Sequence, residues 1–458
     1  MKNSGVFFMV VISAAMVFQA CEKENIPIVS TPTLVSGKQT DSVVLDTQVF
    51  SDSVLLAILS EEKQLMRDIK AGRIVDVSGM HIEKQNPKKV YAHYMPWFQS
   101  QDYDGYWGQH WTMTNRNPNV MDSNGTREIA SHFYPLIGPY SSADPDLQEY
   151  HFLLMKQCGI DGVIFDWYGA RDFYDYGLIK QSTETFMVRL DDLDMDFSIM
   201  YEDRVAQQAV AMGFAPDPVS AVQDDFRYMR DTYFIKDNFL THNGNEMVFV
   251  FGPEHVIDSL EWNTIFDVFP SGASPDLLTL WAAQGRVGAN ASGEFLWIAP
   301  DHLLAHDHYY ANYFQGSDIT FGSVYPGFED YYQEGGWGNP HQWGISDNGG
   351  NTFLETLNYT HLEGADFIQL ATWNDFGEGT MIEPTEEHGF LYLQLLQEYT
   401  GVNATPQDLQ TTLDLYRSRK QFQGNARAQQ FLDRSYHYIK NANAIRAKQI
   451  VVAVDRFM

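Results

Sequence analysis

The sequence predicts an α/β protein built as a (β/α)8 TIM barrel with a helical C-terminal extension. The first observation is a series of eight apolar, β-rich runs, most of which are followed by a stretch of helical length. Strands that alternate with helices pair in parallel, and a count of eight favours a closed barrel over an open sheet. The second observation is size, because 458 residues with 44% hydrophobic side chains supply enough core for one such barrel.

Residues 1–20 have the pattern of a signal peptide rather than of a folded element. An early lysine precedes an apolar run from Val6 to Phe18, which is short for a membrane span. Ala20 directly before Cys21 resembles a lipoprotein cleavage box, so we predict that the chain is exported and lipidated at Cys21. It would then be an outer-membrane lipoprotein at the cell surface or facing the periplasm. An ordinary cleaved signal with an incidental cysteine is the alternative.

Three further regions follow the signal segment. Residues 21–50 are rich in Thr, Ser, Val and Pro without a sustained period, which indicates a flexible tether. Residues 51–87 are predicted as a helical lead-in, because 51–72 begin with Ser and Asp and carry apolar residues at helical spacing. The barrel is predicted over 88–400, and 401–458 are predicted as helices packed on the barrel.

Each barrel strand is predicted from an apolar run that ends in polar or aromatic residues. The sixth run is short, so the number of barrel strands could differ from eight by one. Stretches such as "DPDLQEYHFLLMKQCG" and "DPVSAVQDDFRYMRDTYF" are the helices between them. The eight runs are "KVYAHYMPWF" (89–98), "GIDGVIFDWYG" (159–169), "DFSIMYED" (196–203), "GNEMVFVFGP" (244–253), "DLLTLWAA" (276–283), "EFLWIAP" (294–300), "DITFGSVYPGF" (318–328) and "DFIQLATWNDFGEG" (366–379).

Carboxylates and aromatic residues follow the predicted strands at their C-terminal ends, where TIM barrels place their active sites. Aromatic faces can cover the apolar C–H face of a pyranose, while carboxylates and amides bind its hydroxyls. The inventory therefore indicates a sugar-binding cleft. Its members are His93, Tyr94 and Trp97 after strand one, Asp166, Trp167 and Tyr168 after strand two, Tyr201, Glu202 and Asp203 after strand three, Tyr325 after strand seven, and Trp373, Asn374, Asp375 and Glu378 after strand eight.

Asp375 and Glu378 are the leading catalytic candidates. Glycosidic cleavage generally needs one carboxylic acid to protonate the leaving oxygen and a second carboxylate to assist the nucleophile. Two carboxylates three residues apart in a glycine-rich loop can face one bond, and their repulsion raises one pKa toward working pH. The alternative is a simple turn, in which Asn374 and Asp375 cap the next helix.

The sequence lacks the motifs and the charge that are typical of several other functions. Sixty acidic against thirty basic residues give a formal charge of −30, which repels nucleic acid and anionic membranes. The aspartates at 192, 194 and 196 have calcium-loop spacing, but Phe197 stands where the turn needs glycine. A histidine cluster at 302, 306 and 308 has no further ligand group nearby in sequence, so no metal site is predicted. The chain also lacks the serine-hydrolase, phosphate-loop and zincin motifs.

The segments "VYAHYMPWF", "GIDGVIFDWYG" and "TWNDFGEGTMIEP", in that order and near that separation, resemble glycoside hydrolases of family 99 and the related family 71. The resemblance covers roughly residues 88 to 400. It implies a (β/α)8 barrel without a redox or nucleotide cofactor, which cleaves α-mannans or glucosyl-mannose (family 99) or α-1,3-glucan (family 71). Together with "EKEN" after Cys21, which resembles the sorting signal of surface lipoproteins in Bacteroides-type bacteria, it implies a lipoprotein of such a bacterium.

The resemblance also implies roles for the carboxylate pair. In family 99 two glutamates stand three apart, and the first assists attack by the substrate's own 2-hydroxyl while the second is the general acid and then base. Glu378 matches the second, whereas Asp375 departs from the first by one methylene. The shorter side chain widens the gap toward the roughly 6.5–9.5 Å that admits a water in inverting enzymes. "WNDFGE" is closer to the family 71 pattern, so retention and inversion both stay open.

We therefore expect an endo-acting α-glycosidase with Glu378 as general acid and Asp375 as the base. Substrate hydroxyls are assigned to Tyr94, Asp166, Glu202 and Asn374, and stacking to Trp97 and Trp167. The expected partner is a polysaccharide or glycan, with no nucleic acid, no cofactor, and membrane contact only through the lipid anchor of a monomer. The alternative is a non-catalytic surface lipoprotein that binds glycan and feeds a transporter.

Overall fold

The structure is a computed structural model that describes residues 50–73, 81–315 and 317–458. The predicted signal segment, Cys21 and nearly all of the tether lie outside these ranges, so lipidation and export stay predictions. Within the ranges, no helix is both long and apolar enough to cross a membrane.

Eight parallel strands close into a barrel, which confirms the predicted fold class. Each strand pairs with its neighbours in chain order, β3 pairs with β4, and β8 returns to pair with β1. A two-residue strand, Thr241–His242, adds a small antiparallel hairpin before β4. The barrel strands are β1 Lys89–Tyr94, β2 Gly162–Trp167, β3 Asp196–Tyr201, β4 Asn245–Val250, β5 Asp276–Leu280, β6 Ala291–Phe295, β7 Phe321–Val324 and β8 Phe367–Leu370.

Strand β6 differs from its prediction and forms the least paired seam of the barrel. It begins and ends earlier than the predicted run at 294–300, and a register shift beside Leu277 accompanies its pairing with β5. On the other side, only Phe295 and Phe321 are in register between β6 and β7. The Tyr309 hydroxyl lies 2.8 Å from the Glu294 carbonyl of β6 and 3.0 Å from the Phe321 carbonyl of β7. Side chains thus supplement main-chain pairing at this seam.

Helices fill the connections and the outer layer. Prolines at the first helical position and aspartate caps begin α4 and α7, where Asp144 and Asp217 accept hydrogen bonds from main-chain N–H groups. The helices are α1 Asp52–Lys70, α2 Gln101–Asp104, α3 Gln109–Thr112, α4 Pro145–Gln157, α5 Tyr176–Leu190, α6 Arg204–Ala211, α7 Pro218–Thr232, α8 Ser259–Phe266, α9 Gln284–Val287, α10 Leu303–Tyr309, α11 Tyr332–Gly335, α12 Asn351–Glu363, α13 Leu391–Thr400, α14 Pro406–Gln421, α15 Ala426–Lys440 and α16 Ala444–Phe457.

The C-terminal helices α14 to α16 pack on α4 and on the lead-in helix α1. Glu62 of α1 is 1% exposed and accepts hydrogen bonds from Tyr438 and Arg446, at 3.0 and 2.9 Å, and from Arg434 at 3.2 Å. Buried Arg419 of α14 pairs with Glu149 of α4 through two nitrogens. Paired buried charges therefore join the helical extension to α1 and to the barrel's outer layer.

The barrel interior is packed with large side chains from alternate positions of the strands. Phe249, Phe295 and Phe321 meet there at ring distances of 5.0 to 5.5 Å. His93 of β1 lies among them, with one ring nitrogen 2.8 Å from Gln369. This core fills the barrel, so a ligand can approach only from the ends.

Candidate active site

The segment after β8, residues 371–384, carries both catalytic candidates in a tightly bonded turn. The Asp375 N–H donates to the Thr372 hydroxyl at 2.8 Å, and the Glu378 N–H donates to Asp375 Oδ1 at 3.0 Å. Gly379 has a φ of +65°, and a Cβ there would lie 2.7 Å from the Glu329 carbonyl. Only glycine fits this close approach, so the sequence Gly-Glu-Gly shapes the turn around Glu378.

The loop after β7 lies directly against the catalytic turn. The N–H groups of Glu329 and Tyr331 donate to the carbonyls of Glu378 and Gly377, both at 2.9 Å. The Tyr332 hydroxyl donates to Glu378 Oε1 at 2.8 Å. The position of the Glu378 carboxyl is therefore set from two neighbouring strand ends.

The two carboxyl groups have raised pKa values. Burial raises the pKa of Asp375 to about 6. Burial and the adjacent Asp375 raise the pKa of Glu378 to about 8, against a smaller opposing effect of the Tyr332 hydrogen bond. A carboxyl that keeps its proton near neutral pH beside one that loses it more readily is the electrostatic arrangement of an acid and base pair.

Two more carboxylates, Asp166 and Glu202, lie near this pair at the ends of β2 and β3, where Asp166 is within electrostatic reach of Asp375 and Glu202 is within reach of Glu378. Asp166 is 2% exposed, and burial followed by the charge of Glu202 raises its pKa well above the usual range. Its Oδ1 has no hydrogen-bond partner among the described residues. Glu202 pairs with the Arg204 guanidinium at 2.6 Å and accepts a hydrogen bond from Tyr168 at 3.2 Å. The structure thus brings together four acids and one cation at the C-terminal end of the barrel.

Asn374 and Tyr94 are fully buried and belong to a network of hydrogen bonds next to the turn. The Asn374 side chain accepts from the Met95 N–H at 2.8 Å and donates to the Met95 carbonyl at 3.0 Å. The Tyr94 hydroxyl is 3.0 Å from His151, whose other ring nitrogen is 3.2 Å from Glu383. Both residues were predicted to bind sugar hydroxyls, but these contacts occupy their polar atoms and hold the catalytic turn in place.

The two predicted stacking tryptophans are also placed differently. Trp167 is fully buried between the barrel and its helices, against Tyr201, Tyr228 and Tyr233, which leaves no ring face for a sugar. Trp97 is 8% exposed and stacks on His110, with ring centroids 4.3 Å apart. Trp97 therefore borders the cleft, whereas Trp167 belongs to the core.

Sequence reasoning missed three residues of the cleft. Arg204 directly follows Glu202 and Asp203 at the end of β3, so its place at a strand end was a usable signal. Tyr332 lies in the aromatic loop after β7. Trp297 is half-buried above His93, at 4.9 Å between ring centroids. It was read as part of strand six, although β6 ends at Phe295.

The histidine cluster after β6 has structural contacts. His302 lies 3.0 Å from the Tyr325 hydroxyl, and His306 lies 3.1 Å from the Ser323 carbonyl. Across the described ranges, no group of three or more His, Cys, Asp or Glu side chains is arranged to hold a metal ion.

Comparisons with known proteins point to one family. Residues 86–274, from just before β1 to just before β5, match the family described as Glycosyl hydrolase family 99. A "Glycoprotein endo-alpha-1,2-mannosidase-like protein" of Mus musculus is 26% identical over 153 residues, which are 31% of this chain and 32% of that protein. A protein of the same description from Danio rerio is 23% identical over 356 residues, which are 66% of this chain and 73% of that protein. The chain thus spans about a third of the mouse relative.

Solved structures share the fold. The GH99 endo-alpha-mannosidase from Bacteroides thetaiotaomicron superposes with a TM-score of 0.54 at 17% identity, over 69% of this chain and 98% of that one. The same enzyme in complex with bis-tris propane gives a TM-score of 0.52. The matched family region ends at residue 274, before the turn at 371–384 that carries Asp375 and Glu378. Taken together, the sequence match over residues 86–274 and the shared fold show that this chain is similar to glycoside hydrolases of family 99.

Proposed function

We propose that this protein cleaves α-linked polysaccharide or glycan in endo fashion, with Glu378 as the general acid and Asp375 as the base. One observation carries the proposal. Two carboxyl groups with raised pKa values, linked through the Glu378 N–H, lie on one glycine turn at the C-terminal end of a closed barrel. The aromatic and acidic surroundings support a sugar as the ligand.

The proposed reaction moves one proton at each carboxyl group. Glu378 gives its proton to the glycosidic oxygen as the bond between that oxygen and the anomeric carbon breaks. Asp375 takes the proton of the attacking hydroxyl, which belongs either to water or to the sugar's own 2-hydroxyl. Water attack gives inversion, and attack by the 2-hydroxyl followed by hydrolysis gives retention. The anomer that NMR detects first in the product therefore distinguishes the two routes.

α-Mannan is the first substrate to test, because the family match and the relatives described as endo-alpha-mannosidases support it. α-1,3-Glucan is the second, because Asp375 stands where family 99 has glutamate and agrees better with family 71. Asp166, Glu202 and Arg204 are the proposed contacts for sugar hydroxyls, and Trp297 is the proposed floor of the sugar site.

The Glu378→Gln variant tests the acid assignment. We expect it to lose at least about a hundredfold in reducing-end release from α-mannan, because the amide cannot protonate the leaving oxygen. Binding of the same glycan, measured by calorimetry, should persist because the variant keeps the shape of the side chain. Glu334→Gln, an exposed carboxylate in the neighbouring loop, is the matched control and should stay active.

Two results would contradict the proposal. Full activity of Glu378→Gln would reject this residue as the acid. Binding of α-mannan and α-1,3-glucan by the wild-type protein without release of reducing ends would support a surface protein that captures glycan. Anchoring through Cys21 would place either activity at a membrane surface, and it remains a prediction from the sequence.

A further inference from the structure

Trp337 in the loop after β7 is an exposed aromatic side chain next to the proposed acid. Its side chain is 38% exposed, and it is the only tryptophan among the large exposed hydrophobic residues of the described ranges. One face packs against Tyr332 at 5.9 Å between centroids, with the planes 22° apart. Tyr332 in turn donates to Glu378. Trp337 is therefore connected to the acid through a single side chain.

The loop holds Trp337 in place without help from a ligand. The Trp337 N–H donates to the Tyr332 carbonyl at 2.8 Å, and the Thr114 N–H donates to the Gly335 carbonyl at 2.9 Å. The Asn115 side chain donates to the Glu334 carbonyl at 2.7 Å. Because the ring is fixed in advance, a ligand that stacks on it does not bear the cost of ordering it.

Trp337 also continues an aromatic wall along the cleft. Its ring meets His110 edge to face at 6.0 Å, and His110 stacks on Trp97 at 4.3 Å. His110 is held by Asp175, with the nearest atoms 3.6 Å apart. The wall joins the segment after β1 to the loop after β7, and Trp337 is its exposed end.

We propose that Trp337 is the stacking platform for the sugar unit that departs when Glu378 gives up its proton. This inference rests on the proposed function and deepens it. The general acid faces the leaving oxygen, so the departing sugar lies on the side of Glu378 that Tyr332 and Trp337 border. Asp166, whose pKa the charge of Asp375 raises, lies instead beside Asp375, where the retained sugar would bind.

The chemistry of the platform selects an uncharged hexopyranose as the occupant. An indole face stacks on the apolar C–H face of such a ring. The charged groups that act on Tyr332, beneath the Trp337 ring, include Asp375 and Asp330, which disfavour an anionic sugar. A neutral α-linked chain that continues past the cleaved bond therefore fits, in agreement with endo action.

The experiment compares a substrate with a departing sugar and one without it. Trp337→Ala and Trp337→Phe are assayed on an α-1,2-linked mannan and on α-mannobiosyl fluoride, whose leaving group is fluoride. For Trp337→Ala we expect kcat/KM on the mannan to fall about tenfold, at least fivefold more than on the fluoride, because binding energy from the remote sugar is lost. Trp337→Phe should recover part of the loss.

Phe457→Ala is the matched control, since Phe457 is 36% exposed on α16 and should leave both rates unchanged. Equal losses on the two substrates, or none on the mannan, would overturn the platform. The platform remains testable if the wild type hydrolyses neither substrate, which is how failure of the proposed function would appear. Calorimetry of Glu378→Gln with a mannotetraose should then show a Kd about tenfold higher when Trp337→Ala is added, and an unchanged Kd would overturn it.

Discussion

At the scale of single residues, Glu378 is held between opposing influences. Burial and the charge of Asp375 raise its pKa, while the hydrogen bond from Tyr332 stabilises its ionised form and lowers it. As the proposed general acid, Glu378 acts while protonated, so we expect the alkaline limb of a pH profile to follow its pKa. The base is active while ionised, so the acidic limb follows Asp375.

Tyr332→Phe should move the alkaline limb of kcat/KM to higher pH. The change removes the one hydrogen bond that favours ionised Glu378, so the acid keeps its proton further into the alkaline range. The acidic limb, set by Asp375, should stay in place. Tyr331→Phe, at the adjacent position, is the control. A limb that moves to lower pH, or that moves equally in the control, would contradict the assignment of Glu378 as the acid.

At the scale of elements, the sequence predicted which strand ends form the candidate site better than it predicted which side chains point into that site. The eight strand runs and the acidic turn after β8 followed directly from hydrophobic pattern and glycine placement. Alternation of side chains along a strand explains why Tyr94 and Trp167 do not face the proposed sugar site. His93 and Asp166 point into the barrel, so their neighbours Tyr94 and Trp167 must point outward to the helices.

Strand β6 shows a limit of pattern reading. Its residues Ala291, Ser292 and Gly293 have little strand propensity, whereas the apolar run continues past its end through Ile298. The hydrophobic pattern therefore predicted a strand that begins and ends too far along the chain, and Trp297 was included in that strand. Pairing with β5, a long-range contact, sets the true end of β6.

The catalytic turn should depend on the buried network behind it. Glu383 accepts a hydrogen bond from Tyr140 at 2.6 Å and lies 3.2 Å from His151, and Tyr140 also contacts Asn374 at 3.3 Å. Glu383→Gln should lower kcat on α-mannan about tenfold with little change in KM, because the turn loses its alignment without losing its sugar ligands.

Glu386→Gln, an exposed side chain three residues further, is the control for this variant and should behave as the wild type. Thermal melting is measured in parallel to exclude unfolding. A fall confined to KM would contradict a role in alignment and would indicate direct contact with substrate.

At the scale of the whole molecule, the lead-in helix α1 is part of the folded body. It packs on α16, and its buried Glu62 joins three side chains of α15 and α16. This helix was predicted from its Ser and Asp start and from apolar residues at helical spacing. Its partners could not be, because they lie more than 370 positions away in the chain.

Glu62→Ala should lower the free energy of unfolding by about 3 kcal/mol, because it removes the buried carboxylate that contacts Arg434, Tyr438 and Arg446. Glu61→Ala is the matched control, since Glu61 is 67% exposed and contributes only a surface ion pair with Arg446. Urea unfolding of both variants tests the difference. Equal destabilisation by the two variants would show that the buried contacts of Glu62 do not stabilise the packing of α1.

The seam between β6 and β7 connects the closure of the barrel to the proposed sugar site. A single residue pair is in register there, and the Tyr309 hydroxyl and the Gln369 amide reach across to carbonyls of β6 and the residue that follows it. Two positions beyond Phe295 stands Trp297. Movement of β6 would displace Trp297 with it, so the least paired strand of the barrel and the proposed floor of the sugar site belong to one short segment of the chain.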